Sequence, residues 1–144
     1  MSIKDLHNNC RAMLAVNPVA LGATGGITGS IIDRQGYGGV EFVVTYGSVT
    51  TTGTAVTVNA KEGDVTGTLT SVADADLVGT EALAGLAAGA RVAGTGKEVV
   101  KRLGYIGVKR YVQLNFGHTG TTSVGIVGAA AVLHSPGIAP VANP

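Results

Sequence analysis

The sequence predicts an all-β protein, either an antiparallel jelly roll or a related β-sandwich with extended N- and C-terminal arms. Gly, Val, Ala and Thr account for 23, 20, 19 and 16 of the 144 residues, and β-branched residues with glycine favour strands, bulges and turns. At least six segments of strand length alternate or run apolar between turn-forming residues. No regular alternation of strands and helices, as in parallel α/β folds, is seen along the chain.

The predicted strands follow one another with Gly- and Thr-rich turns between them. The clearest alternation is in Ala55–Lys61, where Val56 and Val58 share one face. In Arg110–Phe116, three apolar residues lie opposite three more polar ones: Val112, Leu114 and Phe116 against Tyr111, Gln113 and Asn115. The full set of predicted strands is Ser30–Asp33, Gly39–Tyr46, Ala55–Lys61, Val65–Val72, Arg110–Phe116 and Gly125–Leu133.

Two segments have helical features. In Asp5–Val16, Leu6, Met13 and Leu14 lie near one face of a helix that Ser2 or Asp5 could cap. Thr80–Gly94 has Ala and Leu at helical spacing, but each interior glycine costs a helix about 1 kcal/mol relative to alanine. We therefore expect a short helix at the N-terminus and a short helix or irregular connection after residue 80.

These features divide the chain into one core and two arms. Residues 1–29 form an N-terminal arm with a possible short helix, residues 30–133 form the β-sandwich core, and residues 134–144 form a Pro-rich C-terminal arm. We expect that deleting Met1–Val16 or Ile138–Pro144 leaves the domain folded. The same deletions should weaken binding to a partner at least tenfold, about 1.4 kcal/mol.

Composition excludes several classes of protein. A single cysteine, Cys10, cannot support a disulfide scaffold, and 45% hydrophobic residues exclude a charged disordered tail. No apolar run approaches the ~20 residues that cross a bilayer. The N-terminal residues lack the apolar core of a signal peptide. We expect a soluble, non-exported protein, or one that leaves the cell by another route, and no membrane partner.

A phosphate-binding loop is the first catalytic motif to consider in a Gly-rich chain. Gly94–Lys97 resembles one, but the pattern G-x-x-x-x-G-K-[ST] requires Gly at position 91 and Ser or Thr at position 98. The chain has Arg91 and Glu98 there, so a turn that opens a strand is the better interpretation. A nucleophile elbow G-x-S-x-G is absent from the sequence. We expect no catalytic or cofactor-binding residues, and no enzyme.

Candidate metal ligands are too dispersed for a site. Cys10 lies three residues after His7 and forms the single close Cys/His pair, whereas zinc sites commonly use two such pairs. Asp64, Asp74 and Asp76 have fewer oxygen ligands in register than a calcium loop needs. We predict no metal site and assign these aspartates to turns.

Charge is nearly balanced overall, at a formal +1, but unevenly distributed. Residues 62–81 contain five acidic and no basic residues, and residues 91–110 contain six of the ten basic ones. Opposite patches suit head-to-tail or lattice contacts, although ordinary solvated loops remain an equal alternative. Nucleic-acid binding is disfavoured because Tyr105 and Tyr111 are the only aromatic residues near the basic stretch.

Four segments resemble a known family. They are Asp33–Tyr37 (DRQGY), Ala73–Thr80, Lys101–Leu114, which ends in GYIGVKRYVQL, and Ala131–Pro140 (AVLHSPGIAP). Their order is similar to that of small virion proteins of tailed bacteriophages, in particular capsid cement (decoration) proteins. The resemblance covers roughly residues 30 to 140, and GYIGVKRYVQL is its most specific part. The chain departs from the family pattern at Gly53–Thr70.

The resemblance implies a structural protein that binds the outer surface of the phage head and bridges major capsid subunits. It further implies self-association as a dimer or trimer on the lattice, synthesis in the host cytoplasm, and no nucleic-acid partner. Tyr and Arg are frequent at interface hot spots, so the residues expected at the partner interface are Lys109, Arg110, Tyr111, Tyr105, Ile138 and Val141.

Alternatives remain open. Protection of an edge strand from aggregation explains Lys109 and Arg110 equally well. The chain could instead be a head fibre base, a tail component or a connector component of the virion. From a different class, a β-sandwich carbohydrate-binding module is possible, although the chain has no tryptophan to stack on a sugar.

Overall fold

The computed structural model describes residues 5–20, 26–47, 55–87, 98–119 and 125–141. Within these ranges nine β-strands form two antiparallel sheets, and helix is limited to a 3₁₀ turn (Asp74–Asp76) and α1 (Glu81–Ala84). The strands are β1 (Cys10–Ala20), β2 (Ile27–Asp33), β3 (Tyr37–Tyr46), β4 (Ala55–Gly63), β5 (Thr70–Ser71), β6 (Leu77–Val78), β7 (Val99–Tyr105), β8 (Tyr111–Thr119) and β9 (Ile126–Pro136). The predicted all-β class is confirmed.

The chain passes repeatedly from one sheet to the other. The five-stranded sheet has the order β1-β9-β3-β7-β6, and the four-stranded sheet has the order β2-β8-β4-β5. Strands β1 to β4 therefore alternate between sheets, as do β7 to β9. The first and last strands are neighbours, with Cys10 opposite His134 and Ala20 opposite Ile126.

One hydrophobic core lies between the two sheets. Inward residues alternate along each strand, as the two-residue period of a strand requires. Tyr46 of one sheet meets Phe116 of the other edge to face, with ring centroids 6.4 Å apart. The inward faces predicted for β4 and β8 are confirmed, because all five of their predicted apolar residues are buried: Val56, Val58, Val112, Leu114 and Phe116.

The N-terminal prediction is wrong from Cys10 onward. In place of a helix within an arm, Cys10–Ala20 is a strand that pairs with β9. Ala15 and Val16 are 0% and 2% exposed, so this segment belongs to the core. The helical spacing of Leu6, Met13 and Leu14 is overridden by the long-range pairing with β9, and Leu14 is 54% exposed.

The remaining strand predictions differ from the structure in detail. Of Val65–Val72, only Thr70–Ser71 is in a strand. The sequence predicts β7 only as a strand of undefined length after Gly94–Lys97, because Lys101 and Arg102 interrupt its apolar pattern. Strand β9 continues to Pro136, so the C-terminal arm predicted to start at residue 134 begins after the strand.

The edges of the two sheets meet at Gly29 of β2. Its N–H donates to Asn115 Oδ1 (3.0 Å), and its carbonyl accepts from Gln113 Nε2 (2.8 Å). These side chains replace ladder hydrogen bonds at a shift in the β2–β8 register. A Cβ at this position would lie 2.2 Å from the carbonyl oxygen of Leu114 and 2.7 Å from that of Ala15. Only glycine fits this seam.

Helix α1 is much shorter than the segment that predicted it. Thr80 caps it by accepting a hydrogen bond from Leu83 N–H at 3.1 Å. The helix is tied to the five-stranded sheet, because Tyr46 Oη donates to the Ala84 carbonyl and Lys101 Nζ donates to that of Gly85, both at 2.7 Å. The candidate phosphate loop Gly94–Lys97 lies outside the described residues.

Candidate partner-binding site

Five strand ends converge at one end of the sandwich. Asp33 of β2 and Gly63 of β4 both lie opposite Tyr111, at the start of β8. Tyr37, at the start of β3, lies opposite Pro136, the last residue of β9. Together with the loop after β7, these ends bring together residues 33–37, 62–64, 105–111 and 136–141. We call this region the Arg34 end.

Arg34 holds the loops of this region together. Its guanidinium donates to three backbone carbonyls, those of Tyr37 (2.9 Å), Gly107 (2.7 Å) and Lys109. It also lies over the Tyr105 ring, with 5.4 Å from Cζ to the ring centroid. The five donors of an arginine fork are suited to joining several acceptors at once. The β2–β3 turn and the β7–β8 loop are therefore fixed to each other.

Tyr105 lies beneath this arginine and is fully buried, at 0% exposure. Its hydroxyl donates a short hydrogen bond to Glu62 Oε2 and accepts one from Lys109 N–H at 3.0 Å. Burial, followed by the hydrogen bond to Glu62, raises the pKa of Tyr105 above its ordinary value. The expectation that Tyr105 is part of the contact surface is wrong, because its ring packs in the core.

The charged residues of the GYIGVKRYVQL segment are paired within the chain. Lys109 Nζ lies 2.6 Å from Asp64 Oδ2. Arg110 binds Asp33 through two hydrogen bonds of 3.0 and 2.7 Å and covers the Tyr111 ring at 4.9 Å. These partners hold the pKa of both aspartates below the ordinary value, chiefly through hydrogen bonding. Lys109–Asp64 joins the two predicted opposite patches, and both ion pairs leave less unpaired charge for contacts between molecules.

The two C-terminal interface candidates lie beside this network. Ile138 is 87% exposed. Val141 is half-buried, and its N–H donates to the Asn8 carbonyl at 2.9 Å. Gly137 N–H donates to the Gly36 carbonyl at 2.8 Å. The structure thus brings all six predicted residues to the Arg34 end and leaves Ile138 as the most exposed of the apolar ones.

A second surface feature is a polar concavity on the outer face of the four-stranded sheet. Its volume is about 360 Å³. Thr57, Asn59 and Lys61 of β4 line one side, and Asn115 of β8 lies opposite Asn59. The Asn115 amide is already bound to Gly29 and Gln113.

Across the described ranges, no group of three or more His, Cys, Asp or Glu side chains could hold a metal ion. Cys10 is a half-buried free thiol. No helix in the described part of the chain is long and apolar enough to span a membrane.

Sequence reasoning missed Arg34 as the organising residue. It lies in the DRQGY segment, and from sequence alone an arginine in a turn is predicted to be a solvent-exposed charge. One feature of the sequence could have indicated this role. Arg34 lies between two strands, and a long side chain at such a position can reach the neighbouring loops. Its three carbonyl acceptors are 3, 73 and 75 residues away, so local patterning could not reveal them.

No protein-family model matches the chain, and no curated protein matches it significantly.

Proposed function

We propose that this protein is a capsid cement protein, which binds the outer surface of a phage head and bridges major capsid subunits. The observation that carries the proposal is the convergence at the Arg34 end. Asp33–Tyr37, the GYIGVKRYVQL segment and Ala131–Pro140 are far apart in sequence, and they are three of the four segments in which the chain resembles cement proteins. The fold brings parts of all three to one end of the sandwich through Arg34 and the register of β2, β3, β8 and β9.

The architecture is consistent with that role. The order β1-β9-β3-β7 beside β2-β8-β4-β5 supports a jelly roll, in which chain neighbours alternate between the two sheets. A core shared by both sheets makes a stiff unit. Such a unit, repeated over a shell, adds a modest contact many times and so stabilises the whole by multivalency.

The deciding experiment is the copy number of this chain in purified particles, measured by gel densitometry against the major capsid protein. A ratio near one, or a simple fraction of one, is expected for a protein bound throughout the lattice. On the order of a dozen copies or fewer would instead place it at a connector, tail or fibre. Absence from particles would overturn the virion role.

The carbohydrate-binding alternative has one observation in its favour, the polar concavity of the four-stranded sheet. The side chains around it can hydrogen-bond to hydroxyl groups, but its one aromatic lining residue, Phe116, is buried in the core. Binding of glycans to the purified protein at micromolar affinity, lost in Asn59→Ala, would favour this alternative.

A further inference from the structure

Two adjoining clefts lie on the surface of the Arg34 end. One has a volume of about 260 Å³ and is lined by Arg34, Gln35, Gly36, Tyr37, Val108 and Arg110. The other has a volume of about 410 Å³ and is lined by Gly36, Tyr37, Pro136, Gly137, Ile138 and Val141. Gly36 and Tyr37 line both clefts, and we call the pair of clefts the Gly36 groove.

Exposed aliphatic side chains border this groove. Val108 and Ile138 are each 87% exposed, one in each cleft, and Ile106 is 54% exposed two residues before Val108. Single exposed aliphatic residues are ordinary on a protein surface, but several around one groove are typical of an interaction site. Gly36 is exposed, and an added Cβ there would meet nothing within 4 Å, so no side chain covers the turn between the two clefts.

The groove is held in shape before any partner arrives. Arg34 lines the Val108 cleft and fixes the carbonyls of Tyr37, which also lines it, and of Gly107, which directly precedes Val108. The hydrogen bond from Gly137 N–H to the Gly36 carbonyl fixes the Ile138 cleft. A preformed surface loses little conformational entropy on binding.

The charges of the groove define the chemistry of its partner. Among the lining residues, charge is confined to Arg34 and Arg110. Arg34 is engaged with three carbonyls, and Arg110 is paired with Asp33. A charged partner group would therefore find no free counter-charge and would lose its hydration. The complementary partner is an uncharged segment with aliphatic side chains.

We propose that the Gly36 groove seats an uncharged, aliphatic segment of the major capsid protein, with Val108 and Ile138 as its main contacts. This inference rests on the proposed cement function. It shifts the contact from the charged residues Lys109 and Arg110 to the apolar side chains beside them.

The test uses phage shells assembled without this chain, to which purified full-length protein is added and its binding measured by co-sedimentation. Val108→Asp and Ile138→Asp should each weaken binding at least tenfold, about 1.4 kcal/mol. Both side chains are exposed, so circular dichroism should show unchanged folding. Wild-type binding should change less than about threefold between roughly 0.05 and 0.5 M salt, because screening acts on exposed charges.

The matched control is Leu83→Asp. Leu83 is 70% exposed on α1. Leu86, two residues after α1, pairs with Val56, which lies at the end of β4 away from Gly63. This variant should bind within about twofold of the wild type.

Each other outcome overturns a different statement. If the wild type binds and both groove variants bind equally well, the groove assignment is wrong and the cement function stands. If the variants lose self-association while their shell binding is unchanged, the occupant is a second copy of this chain. If the wild type does not bind the shells at all, the cement function fails, and the groove assignment fails with it.

Discussion

Arg34 shows how one side chain can organise several loops. Its three acceptors are backbone carbonyls from the β2–β3 turn and the β7–β8 loop. Hydrogen bonds from a charged donor are worth more than neutral ones, and acceptors left without a partner in a part-buried place are costly. The residue's contribution therefore lies in stability and in the shape of the surface above it.

We expect Arg34→Ala to lower the free energy of unfolding by roughly 1.5–3 kcal/mol. Arg34→Lys should recover little of this loss, because an ammonium group cannot reach three carbonyls in the geometry of a guanidinium. Urea denaturation measures the free energy of unfolding of both variants. The control is Arg102→Ala, since Arg102 is 75% exposed with one 3.7 Å contact to Glu41 and should change stability by less than about 0.5 kcal/mol. Equal effects of the Arg34 and Arg102 variants would contradict this role.

The Asp33–Arg110 pair gives stability a pH dependence of known sign. Hydrogen bonding to Arg110 holds the pKa of Asp33 below its ordinary value of 3.8, so the folded protein binds this proton less tightly than the unfolded chain. The pair then stabilises the fold above that pH, and this stabilisation is lost as the pH falls through the folded-state pKa. Asp33 is 41% exposed, so the effect should stay below about 1 kcal/mol.

Unfolding titrations between neutral pH and about pH 2 measure this effect. We expect the stability of the wild type to fall more steeply below about pH 4 than that of Asp33→Asn. Arg110→Gln should show the same shallower slope as Asp33→Asn, because it removes the other half of the pair. Parallel curves for all three proteins would show that the pair does not contribute.

At the level of elements, β1 is the strand that the sequence predicts least well, although its residues Ala15 and Val16 are buried in the core. Removing residues 1–9 keeps all of β1, whereas removing residues 1–16 takes away Ala15 and Val16, which are almost completely buried. We expect the shorter truncation to unfold cooperatively on heating, and the longer one to lose its cooperative transition. Calorimetry distinguishes the two. If the protein lacking residues 1–16 still folded, this segment would be an arm and not a necessary part of the core.

Strands with a strong local pattern could be predicted, and those defined by distant partners could not. Ala55–Lys61 and Arg110–Phe116 alternate because one face of each lies in the core. Strand β1 carries apolar residues at helical spacing, and only β9, more than a hundred residues later, makes it a strand. For the candidate site, the sequence likewise predicted which residues lie together but not which partners they have. Lys109, Arg110 and Ile138 do lie at one end, but their pairing or exposure depends on Asp33, Asp64 and Gly36 from other elements.

At the scale of the whole molecule, the two sheets share one core and should unfold together. Phe116 in the four-stranded sheet packs against Tyr46 in the five-stranded sheet. Phe116→Ala should lower the free energy of unfolding by about 3–5 kcal/mol. Backbone circular dichroism and the near-ultraviolet tyrosine signal should follow one coincident transition in the wild type and the variant. Two separate transitions would mean that the sheets are independent units.

The pairing of β1 with β9 has a consequence for how the protein is made. The central strand of the five-stranded sheet, β3, has β9 as one of its two neighbours, and β1 has no other neighbour in that sheet. Both partnerships must wait until residues 126–136 have left the ribosome. Until then, the apolar faces of β1 and β3 lack their partner, a condition that favours aggregation of nascent chains. Sheet closure therefore comes late, after β9 has become available, and the long-range pairing makes it slow relative to folds built from local contacts.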